Sequence, residues 1–350
     1  MKIALVHTKL MNRGGLERRL INYTNYLTSK NHQVTIFCAK FSDQIILPQG
    51  VKVVKIKLNF IPKKLETWYF AKKLSKIFNK NEFDFSLSFG RSHSQDAVLS
   101  PATHRGYLFA IKKKIKKIND YIQIYTDTIS YNSSKIIFAA SNIIKSELID
   151  LYKINEDKIH VVYPPVNIQK FNLSLKSQKN ELRQKYGISI DKIVFAFVTI
   201  NLKLKGIDLL IDIFNELDSE KYELVVVGWK KMSINHRNIK FLGYINSTEE
   251  IYSAVDFTIH PSKYEPFGQI ISESLQCGTP VIVSDKVGAS EILNNDNGVI
   301  INSFNKNVWI DEIKKLENRK FIIDENFAVK NGLTIEQHIN KMLQIGLNLK

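Results

Sequence analysis

The chain has 350 residues, 44% hydrophobic and 24% charged, which excludes the disordered and fibrous classes and gives length for two domains. No run approaches the roughly 18 consecutive apolar residues of a membrane span, and two cysteines, Cys38 and Cys277, are too few for a disulfide framework. The net charge of +16 is uneven: residues 1–163 hold 27 Lys and Arg against 12 Asp and Glu, and residues 164–350 hold 23 against 22.

The opening MKIALVHTK has too short an apolar core for a secretory signal, so a reducing cytoplasm is expected. KIALVHT reads as a buried strand, NRGG (12–15) as a break, and LERRLINYTNYLTSKNH as a helix by its apolar spacing. QVTIFCA follows as a strand, giving the β-loop-α-β opening of a doubly wound sheet. Further strands are expected at 51–57, 83–89, 134–141 and 159–165, and helices at 64–80, 110–129 and 142–152. After Pro164–Pro165 the alternation restarts with strands at 192–200, 222–228 and 239–244 and a helix at 206–217. A helix at 247–255 is expected to open on a Ser247 cap with Glu250 three residues later. DFTIHPS, a helix centred on a glycine, and PVIVSD complete the pattern. The fold class is therefore α/β, with two Rossmann-like doubly wound domains facing across a cleft, 1–163 and 164–332. A helix within 333–350 can pack back on the N-terminal domain.

In such folds ligands bind beyond the carboxyl ends of the strands, so residues just after strands carry the chemistry. Gly14–Gly15 lies there, where glycine lets backbone N–H groups approach a phosphate or sugar; a tight turn explains it equally well. The dinucleotide fingerprint and the P-loop are both absent, which disfavours a nicotinamide dehydrogenase or a P-loop nucleotidase. In NLKLKGID, Lys203 and Lys205 can reach an anionic group, and Gly206 permits close backbone approach. In HPSKYEPFGQIISESLQCGTPVIVS, the N–H groups from Gly268 to Ile271 would open a helix and suit a diphosphate. Glu265 precedes that helix and Glu273 lies within it, spaced for two parts of one ligand and not for a metal.

Glu265-Pro266-Phe267-Gly268 followed by Glu273 resembles the E-x7-E signature of retaining GT-B glycosyltransferases of family 4. GGLERRLINY resembles that family's N-terminal glycine loop and helix, and LKGIDLL its donor-phosphate loop. LGYINSTEEIYSAVDFTIHPSKYEPFGQIISESLQCGTPVIVSDKVGASEIL resembles its donor domain. The resemblance implies that Glu265 accepts hydrogen bonds from donor-sugar hydroxyls, beside the Phe267 and Gly268 backbone. It implies that Gln269, Ile270 and Ile271 hold the diphosphate, that Glu273 binds the ribose, and that Lys205 with Lys203 neutralises the leaving group. The base would lie at Gly243, Tyr244 and Ile245, and Gly15 would abut the diphosphate or sugar from the other domain. The arginine usual before the Lys-Gly pair is missing here, with Lys203 as its substitute, and Ser274 stands where alanine often follows the second Glu. His104 is the favoured N-terminal catalytic residue, with His93 and Asp96 as alternatives.

The implied reaction is a metal-independent, retaining transfer of a hexose from a nucleotide sugar, with UDP the expected carrier and no resident cofactor. The basic first half points to the acceptor. Residues 62–80 interleave lysines with Trp68, Tyr69, Phe70 and Phe78, and IKKKIKKI (111–118) alternates lysines with isoleucines. Solvated helix faces account for either stretch alone; together they suit an anionic membrane surface. A lipid-linked or core oligosaccharide acceptor, as in lipopolysaccharide-core glucosyltransferases, and a site on the inner face of the cytoplasmic membrane are expected. Alternatives are a GT-B epimerase or phosphorylase and, from another class, a basic nucleic-acid-binding protein; no nucleic-acid motif supports the last.

Overall fold

The computed structural model describes residues 1–11, 14–58, 60–115, 117–228 and 236–348. Its contacts divide the chain into two compact units, Met1–Tyr163 with Ile335–Lys350, and Pro164–Thr334.

The strands of the first unit are β1 (Lys2–Val6), β2 (Lys9–Leu10), β3 (Gln33–Cys38), β4 (Lys40–Phe41), β5 (Lys52–Lys55), β6 (Phe85–Ser88), β7 (Ala97–Ser100), β8 (Ile136–Ala139) and β9 (Ile159–Val161). Seven of them form one parallel sheet in the order β5-β3-β1-β6-β7-β8-β9, while β2 pairs with β4 alone. Side chains alternate across a strand, so Ile3 and Leu5 enter one core and Ala4 and Val6 the other. Both faces of β1 are thus covered, which explains its unbroken apolar run.

The C-terminal helix Ile335–Asn348 packs into this first unit through Ile339, Met342 and Leu343. Its His338 is buried, which holds the imidazole down at about 3 and therefore neutral. Nδ1 donates to the Tyr163 carbonyl at 2.7 Å, leaving Nε2 to accept from the Tyr23 hydroxyl.

The second unit carries β10 (Ile193–Val198), β11 (Tyr222–Val227), β12 (Ile239–Gly243), β13 (Phe257–His260), β14 (Val281–Ser284) and β15 (Gly298–Ile301). They form a parallel sheet in the order β12-β11-β10-β13-β14-β15. Phe195 and Phe197 face a core with Leu210, Ile213, Phe214 and Trp309. Val194, Ala196 and Val198 face the opposite core with Ile251, Tyr252 and Cys277. Each fully buried Phe contributes about 1.5–3 kcal/mol relative to exposure. In both sheets the order reverses at one place, between β1 and β6 and between β10 and β13. Such switch points are where open α/β sheets bind ligands.

The structure departs from the sequence pattern at several places. The strand Ala97–Ser100 and the helix His104–Ala110 had no place in the pattern read from sequence. The single helix expected over 110–129 is instead His104–Ala110 followed by Ile118–Ser133. Between them Lys112 takes a left-handed φ of 50°, which ends helical progression, so 111–115 is not a helix face; Lys116 lies outside the described residues. Phe70 and Phe78 are core residues, and only Trp68 and Tyr69 of that stretch carry lysines over their rings, Lys72 and Lys73. Ser247 makes no side-chain cap to the helix Thr248–Ala254. Glu250 instead accepts from Lys185 at 2.5 Å and from the Tyr186 hydroxyl at 2.6 Å. The helices Lys179–Tyr186 and Lys306–Lys315 and the strand Gly298–Ile301 were also not anticipated. Asn12 and Arg13 of the NRGG break lie outside the described residues.

Candidate active site

Lys205 follows β10 and Glu265 follows β13, so the switch point brings together two residues 60 positions apart. Lys205 Nζ lies 2.7 Å from Glu265 Oε2 and donates to the Tyr264 carbonyl at 2.9 Å. The backbone that places the lysine is a tight turn ending at Gly206, whose φ is 91°. A Cβ at Gly206 would also collide with the Pro261 carbonyl, so only glycine fits where this turn meets the end of β13.

The loop bearing Glu265 is held from both sides. Its N–H donates to the Lys286 carbonyl at 3.0 Å, Gly288 N–H donates to the Glu265 carbonyl at 2.9 Å, and Ala289 N–H to the Phe267 carbonyl at 2.7 Å. Ser262 Oγ donates to the Tyr264 carbonyl at 2.9 Å. Gly268 caps the helix Gln269–Gln276 at φ 93°; a Cβ there would stand 3.0 Å from Glu265 Cγ. The glycine therefore lets the glutamate side chain lie against the helix start.

Among the described residues the N–H groups of Gly268, Gln269 and Ile270 have no acceptor, the usual condition of a helix start. Ile271 differs from expectation: its N–H donates to the Gly268 carbonyl at 2.9 Å. Three N–H groups, not four, remain open to an anion. Glu273, one turn along, is half-buried and accepts from the Tyr252 hydroxyl at 3.3 Å. Ser274 ties the helix to β13, donating to Thr258 Oγ1 at 2.8 Å, which accounts for a hydroxyl at that place.

The charges in this cluster act on one another. Burial alone would raise the Glu265 carboxyl, but the His260 hydrogen bond and the Lys205 charge outweigh it and hold it down at about 2. Burial pushes His260 below its ordinary value against the pull of Glu265, so the imidazole is neutral at pH 7. His260 was not singled out from sequence, although HPS directly before the glutamate loop was the signal.

Of the other expected residues, Phe267 is buried, and Lys203 is exposed on the loop before Gly206. Gly243 ends β12 with φ 80° and accepts from Gly228 N–H at 2.8 Å; Tyr244 beyond it is exposed and Ile245 half-buried. Among the described residues, no three or more His, Cys, Asp and Glu side chains gather in a way that could hold a metal.

Gly15 and His104 belong to the first unit. Gly15 opens the helix Gly15–Ser29, and a Cβ there would meet open space. The ends of β1 and β6 border a cavity of about 360 Å³, lined by His7, Lys9, Glu17, Arg91, Ser92 and Asp127 among others. Arg91 Nε donates to Asp127 Oδ1 at 2.6 Å, while Asp127 Oδ2 accepts from the Tyr152 hydroxyl and the His104 N–H. Burial, against a bond with the Phe89 backbone, pushes His7 down to about 4. His104 is not on the cavity wall; its Nε2 lies 3.1 Å from Asp120 Oδ1. Of the alternatives, His93 lies beside Ser94. Asp96 joins β6 to β7, accepting from Ser86 N–H and Oγ and pairing with Lys80 at 2.7 Å.

Residues 178–332 match the family described as Glycosyl transferases group 1, and residues 13–170 match Glycosyltransferase Family 4. A probable transglycosylase of Burkholderia thailandensis is 30% identical over 293 residues, which cover 84% of this chain and 80% of that one. Among solved structures, WaaG, a glycosyltransferase involved in lipopolysaccharide biosynthesis, aligns with a TM-score of 0.72 at 16% identity, covering 99% of this chain and 95% of its own. Anabaena HepE, solved in complex with UDP-glucose, aligns over 100% of both chains at 16% identity with the same TM-score. These two likenesses are of fold; the sequence matches carry the family. The chain belongs to the family 4 type of GT-B glycosyltransferases.

Proposed function

We propose that the protein is a retaining hexosyltransferase that uses a nucleotide sugar, with UDP as carrier, and needs no metal. The observation that carries this reading is the meeting of Lys205, Glu265 and an open helix start at one switch point. A diphosphate at the Gly268, Gln269 and Ile270 N–H groups would gain the helix dipole. Lys205 would supply the cation for the charge that develops on departure, the type of preorganised stabilisation that dominates many enzymes. Glu265 Oε1, which has no partner among the described residues, would accept sugar hydroxyls. Glu273 would take the ribose hydroxyls, and Gly243 to Ile245 the base, with Lys203 assisting Lys205. Retention predicts a product whose anomeric configuration equals the donor's. Proton NMR of a fresh product sinks the retaining assignment if the configuration is inverted.

The first unit would bind the acceptor. In its cavity Lys9 and Arg91 stand against Glu17 and Asp127, a balance of signs that suits sugar hydroxyls, with Phe70 and Phe89 as apolar walls. Gly15 would border the donor, and His104 would act by holding Asp127 of the cavity wall through its backbone N–H. A lipid-linked glycan is the acceptor we favour. On the helix Ile118–Ser133, Ile118, Tyr121 and Tyr125 share a face and are 69%, 58% and 56% exposed, and Phe109 is 80% exposed. Lys112, Lys114 and Lys117 are exposed nearby, and each cation near anionic lipid contributes about 1 kcal/mol. Among the described residues no helix is long and apolar enough to cross a membrane, so attachment would be peripheral, on the inner face of the cytoplasmic membrane. The protein should sediment with phosphatidylglycerol vesicles at low salt, and a Phe109→Ser/Tyr121→Ser variant should do so several-fold less. Equal recovery with zwitterionic vesicles, or no change in the variant, would remove the membrane part.

A further inference from the structure

His260 ends β13 and is 1% exposed. Its ring packs 5.9 Å from that of Phe197. Nε2 stands 3.4 Å from Glu265 Oε2. An ionised carboxylate only accepts, so the proton is on Nε2 and Nδ1 carries a lone pair. Nδ1 is buried with no partner among the described residues. Native cores rarely leave such an atom unmatched.

Glu265 Oε2 is shared by two donors, Lys205 at 2.7 Å and His260. On the donor reading above, on which this inference rests, Lys205 is also needed by the diphosphate. As that anion enters, it draws the ammonium away from the carboxylate. Glu265 would then lose its closer partner just when Oε1 must meet the sugar hydroxyls. One donor fixed to the sheet, unable to follow the lysine, solves this. We infer that His260 is the positioning residue that keeps the Glu265 carboxylate in place while Lys205 is handed to the donor diphosphate.

The side chain suits that task. It projects from the end of a strand whose neighbours are β10 and β14, whereas Lys205 stands on a turn with a long flexible stem. A neutral imidazole donates one proton without adding a second cation to compete for the diphosphate. Glu265 is also backed by Gly268, where a Cβ would come within 3.0 Å of its Cγ. Backbone bonds, the Gly268 approach and the histidine thus all bear on where the carboxylate lies.

The test compares UDP-glucose with UDP by calorimetric titration, using wild type, His260→Phe and His260→Gln. His260→Phe keeps an apolar ring and removes the N–H; glutamine can bring an N–H to the place of Nε2. UDP affinity should change by less than about twofold in both variants. UDP-glucose affinity should fall about ten- to hundredfold in His260→Phe, the range for one hydrogen bond to a charged group, and should largely recover in His260→Gln. A purely structural role would lower Tm and weaken UDP and UDP-glucose in equal proportion, overturning the inference. So would a glutamine variant no better than phenylalanine. If wild type binds neither UDP nor any of a panel of nucleotide sugars, the donor reading fails first and takes this inference with it.

Discussion

Lys205→Met is expected to lower turnover by about 10²–10³-fold, the loss that follows removal of one preorganised group facing developing charge. The ammonium is 2.7 Å from Glu265 Oε2 and its side chain is 14% exposed, so solvent replaces it poorly. Methionine matches its length and keeps the packing of the stem. Because the charge of the leaving diphosphate peaks late, the larger loss should be in kcat, with a smaller rise in donor KM. A stability effect accompanies it, since Glu265 is left beside His260 with its main countercharge gone. Removing one partner of a well-buried pair costs about 3–5 kcal/mol; with Glu265 19% exposed, about 1–3 kcal/mol is expected here. Lys205→Met/Glu265→Gln should be more stable than Lys205→Met alone, because no unpaired carboxylate remains, yet no more active. Single-turnover rates and urea midpoints for the three variants separate the two effects. A double variant that regains activity would mean that Lys205 matters only to the ion pair.

Glu265→Gln should cost about two orders of magnitude in transfer while leaving UDP affinity nearly unchanged. The substitution keeps shape but turns an acceptor-only carboxylate into an amide with one acceptor oxygen, weakening each bond to a sugar hydroxyl. The nucleotide side, near Glu273 and Tyr252, is untouched. Discrimination among nucleotide sugars should therefore shrink, as read by kcat/KM across a panel; unchanged discrimination would remove Glu265 from the sugar. The same variant alters acid stability. The Glu265 carboxyl is held at about 2 in the fold against 4.5 in its ordinary state. A depressed carboxyl stabilises the fold fully above its unfolded value, and that contribution is lost as pH falls from about 4.5 through 2. The gap in unfolding free energy between wild type and Glu265→Gln should accordingly narrow over that window.

Most of the second unit was legible because its strands are buried on both faces. IVFAFV and YELVVV carry near-continuous apolar runs that local pattern suffices to identify. Ala97–Ser100 was not legible because Gln95 and Asp96 before it look like surface residues. Their burial is made possible by partners elsewhere, Ser86 for Asp96 and Ser92 for Gln95. The lysine-rich 111–117 stretch misled for the opposite reason: its isoleucines fall at helical spacing, while the backbone turns left-handed at Lys112. At the site, glycines and glutamates announced themselves through turn and helix chemistry. The direct Lys205–Glu265 pair did not, because it exists only once β10 and β13 lie side by side. The same holds for His260, which meets Glu265 only after the chain folds back between Pro261 and Tyr264, and for Arg91 with Asp127, 36 residues apart.

We propose that the Lys205, Glu265 and Gly268 cluster holds a nucleotide sugar by its diphosphate and its sugar at once. Calorimetric titration of UDP and UDP-glucose into wild type and Lys205→Met tests it most directly. Wild type should bind both, and Lys205→Met should weaken both by about tenfold or more, since both carry the diphosphate. Equal affinity of the two proteins for both ligands would contradict it.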